Sequence, residues 1–210
     1  MRNEIKKKHG KPISNNWNNT VITPGTTFME NLHNHMDNHF RKRKSKIKME
    51  AIKDLLFRMA DDELIIGHRN SEWTGIGPIL EEDLAFSSMA QDKLGHALAN
   101  YSLLEKEYGE KNPDELAFAR DAKSFRCCQL VEYPIGEYDF TLVRHFLFDT
   151  AEFLRYDLLQ HSSFALLAAY SKKIKGELKY HLLHADTWII KLGNATEESH
   201  ARMQSSLNEI

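Results

Sequence analysis

Cysteine is almost absent from this chain of 210 residues. The only two, Cys127 and Cys128, are adjacent, so they cannot form the framework of bridges that stabilises small secreted domains. No apolar run approaches the roughly 18 residues that a membrane-spanning helix requires, and no secretory signal pattern precedes the domain. These absences predict a cytoplasmic protein that does not contact a membrane.

Proline, glycine and strand-like alternation are also scarce. The chain has five prolines and ten glycines, and its apolar residues recur mostly at helical spacing. With 41% hydrophobic residues, it has enough apolar material for one domain with a full core. We therefore predict an all-α protein, a four-helix bundle with extra short helices.

Charge is divided unevenly between two parts of the chain. Residues 1–48 carry a net charge of +8, whereas residues 49–210 carry −10. We interpret residues 1–48 as a basic, mostly disordered arm and residues 49–210 as the helical domain. The run Arg41–Lys48 and the trio His33, His35 and His39 are interpreted as solvated, so nucleic acid is not an expected partner. A nucleic-acid-binding arm remains an alternative.

The helical pattern has clear starts and stops. Asn112 followed by Pro113 is typical of the start of a short helix, and Thr196 is typical of the cap of a last one. Gly193 and Asn194 predict the end of the fourth long helix. The last helix is cut off at Ile210, so we expect a chain truncated at its C-terminus. The four predicted long helices cover about residues 47–68, 79–108, 139–161 and 163–192.

Polar side chains recur on the helix stripes that should face the core. Glu63 follows the apolar spacing of the first long helix, and Lys93 and His96 follow that of the second. Asp149, with Glu152 nearby, lies on the third stripe. Burying such groups costs several kcal/mol unless they pair with each other or bind a metal. The stripe of the fourth helix adds Leu178 and His181.

The spacing of these residues is that of a degenerate di-iron site. Carboxylate-bridged di-iron bundles use one Glu from each of two helices and a Glu-x-x-His pair from each of the other two. Here Lys93 stands three residues before His96, and Leu178 stands three residues before His181, in place of the two glutamates. We therefore expect no metal at Glu63, Lys93, His96, Asp149, Leu178 and His181.

The position of the Lys93 ammonium group has two open interpretations. It bridges Glu63 and Asp149 near the former metal position, or it extends to the surface and pairs there. Glu177, four residues before His181, is not expected to replace the missing ligand, since that offset turns the side chain by about 40° around the helix.

Two long runs carry a family resemblance. ADDELIIGHRNSEWTGIGPILEEDLAFSSMAQDKLGHA (60–97) and ELKYHLLHADTWIIKLGNATEESHARMQ (177–204) resemble the PaaC-type subunits of ring 1,2-phenylacetyl-CoA epoxidases, over about residues 50–210. Related sequences often have Glu where this chain has Lys93. The resemblance implies a ferritin-like fold and a structural, non-catalytic subunit that binds no cofactor itself.

The resemblance also implies partners. They are a homologous catalytic subunit, PaaA, which holds the di-iron centre, and further subunits that include a flavin/iron–sulfur reductase. Such a complex epoxidises the aromatic ring of phenylacetyl-CoA with O2 and with electrons from NADPH. The alternative is a self-sufficient di-metal carboxylate oxidase or iron-binding ferritin-like protein. It requires at least three or four carboxylates at the centre, and Lys93 and Leu178 argue against it.

Overall fold

The computed structural model describes residues 28–210, which contain helices, one 3-10 turn and no strand. The all-α prediction is confirmed. None of the helices in this range is both long and apolar enough to cross a membrane. The α-helices are α1 (Phe28–Ser71), α2 (Leu80–Tyr108), α3 (Pro113–Phe118), α4 (Gln129–Glu132), α5 (Tyr138–Leu159), α6 (Ala165–Ala195) and α7 (Glu197–Glu209).

The predicted helix starts agree with side-chain caps. The Asn112 carboxamide oxygen accepts a hydrogen bond of 2.9 Å from the Glu115 amide, and Pro113 takes the first position of α3. Thr196 and Ser199 cap α7 reciprocally, each side chain accepting from the other residue's backbone amide. These local bonds satisfy amide groups that the helices themselves leave unpaired.

Two predictions of helix limits are wrong. α1 begins at Phe28, so residues 28–48 are helical rather than disordered, because Lys, Arg and Met favour helix even without an apolar stripe. α6 does not stop at Gly193 but continues to Ala195, and the Asn194 side chain donates back to the Ile190 carbonyl at 2.8 Å. Residues 1–27 of the predicted arm lie outside the described range.

The chain divides into two units, 1–50 and 51–210, and the core lies in the second. The sequence places this division two residues earlier. Four long helices, α1, α2, α5 and α6, supply most of the buried apolar side chains. One cluster contains Leu56, Tyr101, Leu104 and Leu167; another contains Trp73, Phe86, Leu142 and Met203; a third contains Met59, Tyr156, Ile174 and Leu178; and a fourth contains Ile66, Val131 and Phe148.

The long connection between α2 and α5 is held to α1 by two buried aspartates. Asp61 accepts a 2.6 Å hydrogen bond from the Tyr101 hydroxyl and pairs with the Arg120 guanidinium. Asp62 accepts a 2.7 Å bond from the backbone amide of Cys128. Because Glu63 follows directly in sequence, these contacts fix the α1 turn that carries it into the core.

Candidate functional site

The centre of the site is a fully buried ion triad. Lys93 Nζ lies 2.5 Å from Asp149 Oδ1 and 3.3 Å from Glu63 Oε2, so it joins α2 to α5 and α1. All three side chains have zero exposure. The contacts are ion pairs, since none of these atoms is in hydrogen-bonding geometry with a described residue. Of the two interpretations of Lys93, the contacts agree with the bridging one.

Mutual attraction keeps the triad charged. Burial alone raises the pKa of a carboxyl group, but Lys93, followed by His96, outweighs it and lowers the pKa of Glu63 to about 2. The pKa of Asp149 lies well below its ordinary value because Lys93 and His145 again outweigh burial. Burial likewise lowers the pKa of Lys93, yet Asp149 and Glu63 raise it above its usual value. The ammonium group is therefore protonated at neutral pH.

His96 extends the triad from Glu63 towards the surface. Its Nδ1 lies 3.5 Å from Glu63 Oε1, and its Nε2 is hydrogen-bonded to Glu177 Oε2 at 2.9 Å. Since a carboxylate only accepts, this ring nitrogen carries the proton. The Glu177 side chain is one-third exposed, so this end of the chain of contacts reaches solvent.

His181 makes the matching connection from Asp149. Its Nδ1 lies 3.5 Å from Asp149 Oδ2, and its Nε2 lies 3.1 Å from the partly exposed Asp92 Oδ2. Burial lowers its pKa, but Asp149 and Asp92 raise it further, and the net shift is upward. His145 Nδ1 is 2.8 Å from the same Asp149 oxygen. There burial prevails over Asp149, so the pKa of His145 is lowered and the ring is neutral at pH 7.

Glu152 is the one carboxyl group of the site whose pKa is shifted upwards. It is fully buried, and burial together with the neighbouring Glu63 raises its pKa well above the ordinary value. Its Oε1 accepts from the Arg155 guanidinium, which only partly offsets that shift. Glu152 therefore retains a proton at pH values where an exposed glutamate is ionised.

A second buried carboxylate lies further along α2. Glu82 accepts hydrogen bonds from the Tyr138 hydroxyl, from His184 Nε2 at 2.7 Å and from Trp188 Nε1 at 2.8 Å. The His184 ring centre is 5.6 Å from that of His145. This cluster of Glu82, Tyr138, His184 and Trp188 fastens α6 to α2 and α5.

An open groove runs beside the site between α2 and α6. Its volume is about 330 Å³, and His96, Asp92 and Glu177 contribute to its wall. The histidine side chain that contacts Glu63 therefore borders a space open to solvent. The remaining lining residues are Gln91, Gly95, Leu98, Ala99, Ser102, Tyr170, Lys173 and Ile174.

Comparison with known proteins identifies the family. The profile of the phenylacetic acid catabolic proteins matches residues 36–210, which is more than half of the chain. The chain belongs to the phenylacetic acid catabolic protein family. Its all-helical architecture agrees with the ferritin-like fold expected of that family.

One member of the phenylacetic acid catabolic family is similar over most of this chain. It is a component of the 1,2-phenylacetyl-CoA epoxidase of Escherichia coli (strain K12), the one designated C, and it is 35% identical over 162 residues. The match covers 77% of this chain and 65% of that protein, so this chain spans slightly less than two thirds of its relative's length. The profile of the XRN 5'-3' exonuclease N-terminus also matches, over residues 1–64 only, which is too small a share to establish membership.

The donor set of this family member does not fit a di-iron centre. The Lys93 ammonium group lies between the two carboxylates that would ligate metal, and an ammonium cannot ligate while protonated. Leu178, at the position of the other missing carboxylate, packs into the apolar cluster with Met59, Tyr156 and Ile174. Among residues 28–210 no three His, Cys, Asp or Glu side chains are placed to hold a metal ion.

The sequence predicts most of the site but not its outer contacts. Glu63, Lys93, His96, Asp149 and His181 meet as expected because each lies on a buried helix stripe. Asp92 and His184 are not predicted, and the expectation that Glu177 stays apart is wrong. These three residues lie beside the stripes, and they reach the buried histidines and Glu82 only because α2 and α6 are adjacent.

Proposed function

We propose that this chain is a structural, non-catalytic subunit of a phenylacetyl-CoA epoxidase complex that acts in phenylacetate catabolism. In this proposal it supports a homologous subunit, PaaA, that holds the di-iron centre, and the complex includes a reductase. The observation that carries the proposal is the buried Lys93, which contacts both Glu63 and Asp149. A cytoplasmic location is part of the proposal, and the scarcity of cysteine favours it.

Charge explains why such a site is unsuited to oxygen activation. Two unit charges about 4 Å apart interact by about 4 kcal/mol at an effective dielectric constant near 20, and the repulsion between an ammonium and a metal dication is larger still. Lys93 is protonated at neutral pH and already neutralises one of the two carboxylates. The triad therefore has an internal cation in the position where catalytic relatives require a metal.

An exposed apolar stripe on α6 supports the subunit role. Positions 166, 169, 173, 176, 180, 183, 187 and 190 recur at alternating spacings of three and four, which is the spacing of a helix that packs against another helix. Tyr180 is 75% exposed, Leu183 65% and Ile190 64%. Large contiguous apolar patches are typical of protein–protein contacts. We call Leu166, Tyr180, Leu183 and Ile190 the α6 stripe.

α2 extends this face on the other side of the groove. Leu80 is 68% exposed, Leu84 63% and Leu98 54%, and Leu98 lines the groove together with residues of α6. The two helices thus present apolar side chains over much of their length. We propose that PaaA covers this face.

Co-expression with the catalytic subunit tests the proposal. The two chains are purified together by size-exclusion chromatography, and iron is then measured in each chain after separation. We expect a stable complex whose iron is confined to the partner. Stoichiometric iron in this chain alone would instead indicate a self-sufficient di-metal oxidase or iron-binding protein. Absence of both association and iron would contradict the subunit proposal.

A further inference from the structure

The first part of α1 is a strongly basic helix with no buried side chain. Every side chain from His33 to Glu50 is exposed. Within Arg41–Lys48, six of eight residues are basic and none is acidic. We call residues 33–50 the basic helix. Its charge contrasts with the net −10 of residues 49–210, so a polyanion is attracted to this helix and repelled by the helical domain.

The basic side chains occupy two flanks of the helix. Successive residues of an α-helix turn by about 100°, so residues three, four and seven apart share one side. This places three cations on each flank. A narrow apolar stripe of Met36, Phe40 and Ile47 lies between them. One flank consists of Arg41, Lys44 and Lys48, and the other consists of Lys42, Arg43 and Lys46.

We propose that the basic helix binds duplex DNA in the major groove, with one flank against the phosphates of each groove wall. An α-helix with its side chains is about 10–12 Å across, and the major groove of B-form DNA is about 12 Å wide. Two cationic flanks match two phosphate walls, and the apolar stripe then faces the groove floor, where thymine methyl groups are exposed. The major groove of A-form RNA is too narrow to admit the helix.

The width of the apolar stripe separates DNA from a membrane surface as the partner. A helix that lies in a membrane interface buries an apolar face on the order of 100° wide or more. Here Met36, Phe40 and Ile47 span only about 40° at helical spacing. With only three large apolar side chains in so narrow a stripe, the phosphate contacts of the flanks dominate the interaction.

Binding by phosphate contacts has a characteristic salt dependence. Each neutralised phosphate contributes about −0.9 to the slope of log affinity against log salt concentration. Six cations therefore give a slope of about −5, which is roughly a thousandfold loss between about 50 and about 200 mM NaCl. The measurement is fluorescence anisotropy of a short labelled DNA duplex titrated with the full chain.

Two flank variants and one matched control test the geometry. One variant carries Arg41→Gln, Lys44→Gln and Lys48→Gln, and the other carries Lys42→Gln, Arg43→Gln and Lys46→Gln. Glutamine keeps the helix propensity while it removes the charge. We expect each variant to bind at least about tenfold more weakly, with its slope reduced to about −3. The control has Lys106, Lys172 and Lys179, all exposed on the helical domain, changed to Gln, and should bind like the unaltered chain.

Four results would overturn the proposal. They are no binding at low salt, a control that weakens as much as the flank variants, a loss confined to one flank, and tighter binding to anionic lipid vesicles or to duplex RNA than to duplex DNA. Circular dichroism of each variant establishes that the helix content is unchanged. Equal losses for the two flanks with unchanged helicity would support insertion between two phosphate walls.

Discussion

At the scale of single residues, Lys93 compensates two buried negative charges. Replacing it with methionine leaves Glu63 and Asp149 in the core without a cation. Removing one partner of a buried ion pair typically costs about 3–5 kcal/mol. We expect Lys93→Met to lower the free energy of unfolding by that amount at neutral pH, measured by urea denaturation followed by circular dichroism.

The pH dependence of the Lys93→Met effect follows from the carboxyl groups. The pKa values of Glu63 and Asp149 are lowered in the folded chain, so their stabilisation is present above about pH 4 and is lost as the pH falls towards 2. The difference between variant and unaltered chain should therefore shrink on acidification. The exposed Lys106→Met on the same helix is the control, expected within about 0.5 kcal/mol. Equal effects of both substitutions would contradict a buried bridging role.

Glu152 should have the opposite pH behaviour. Its pKa is raised by burial and by Glu63, so its contribution to stability is fully present below about pH 4 and is lost as the pH rises through the raised pKa. Glutamine stays neutral at all these pH values. We expect Glu152→Gln to match the unaltered chain near pH 4 and to be more stable at pH 8 by more than about 1 kcal/mol.

The Glu152 prediction is checked by urea denaturation over that pH range, with the exposed Glu107→Gln as the control. The amide oxygen of the new side chain still accepts from Arg155, so this contact is kept. A stability difference that does not change with pH would show that Glu152 is ionised in the folded chain.

At the scale of elements, hydrophobic periodicity predicts where helices lie better than where they end. The start of α2 at Leu80 and the start of α5 at Tyr138 each fall within one residue of expectation, because caps or turns accompany the change of period. The start of α1 at Phe28 has no apolar signal, since that segment is polar on most sides. Gly193 does not end α6, because Asn194 continues the helix and the next N-cap follows only at Thr196.

The same limit applies to the candidate site. Single-helix stripes identify Glu63, Lys93 and Asp149, because burial of a polar residue is visible in one element's pattern. The pairing of His96 with Glu177 depends on how α2 and α6 face each other, which no single stripe encodes. Contacts between elements are therefore the part of the site that required the structure.

The α6 stripe provides a prediction about association. Leu183→Lys introduces a charge into an apolar face that is 65% exposed, so the folded chain should tolerate it while a covering partner should not. We expect co-purification with the catalytic subunit to fall at least tenfold. The control is Leu158→Lys on α5, whose side chain is 75% exposed outside the α6 stripe.

Two results would contradict that association prediction. Equal losses for Leu183→Lys and Leu158→Lys would point to a general effect of added charge rather than to the α6 stripe. Unchanged co-purification of Leu183→Lys would remove α6 from the interface. The melting temperature of each isolated variant shows whether the loss of association is separate from a loss of stability.

At the scale of the whole molecule, the uneven burial of the two units predicts uneven contributions to stability. No side chain described between His33 and Glu50 is buried, whereas the buried apolar side chains extend from Leu56 to Met203. Since burial of apolar surface is the main source of stability, residues 1–48 should add little to it. We expect a chain of residues 49–210 to unfold in urea within about 1 kcal/mol of the full chain.

The matched comparison for this truncation is removal of a shorter segment that does reach the core. Deleting residues 196–210 removes Met203, which packs with Trp73, Phe86 and Leu142, and fully burying such a side chain contributes about 1.5–3 kcal/mol. This small deletion should therefore destabilise the chain more than loss of the 48 N-terminal residues. The reverse order would mean that the basic unit stabilises the helical domain, and the separation of its charge from the fold would then be wrong.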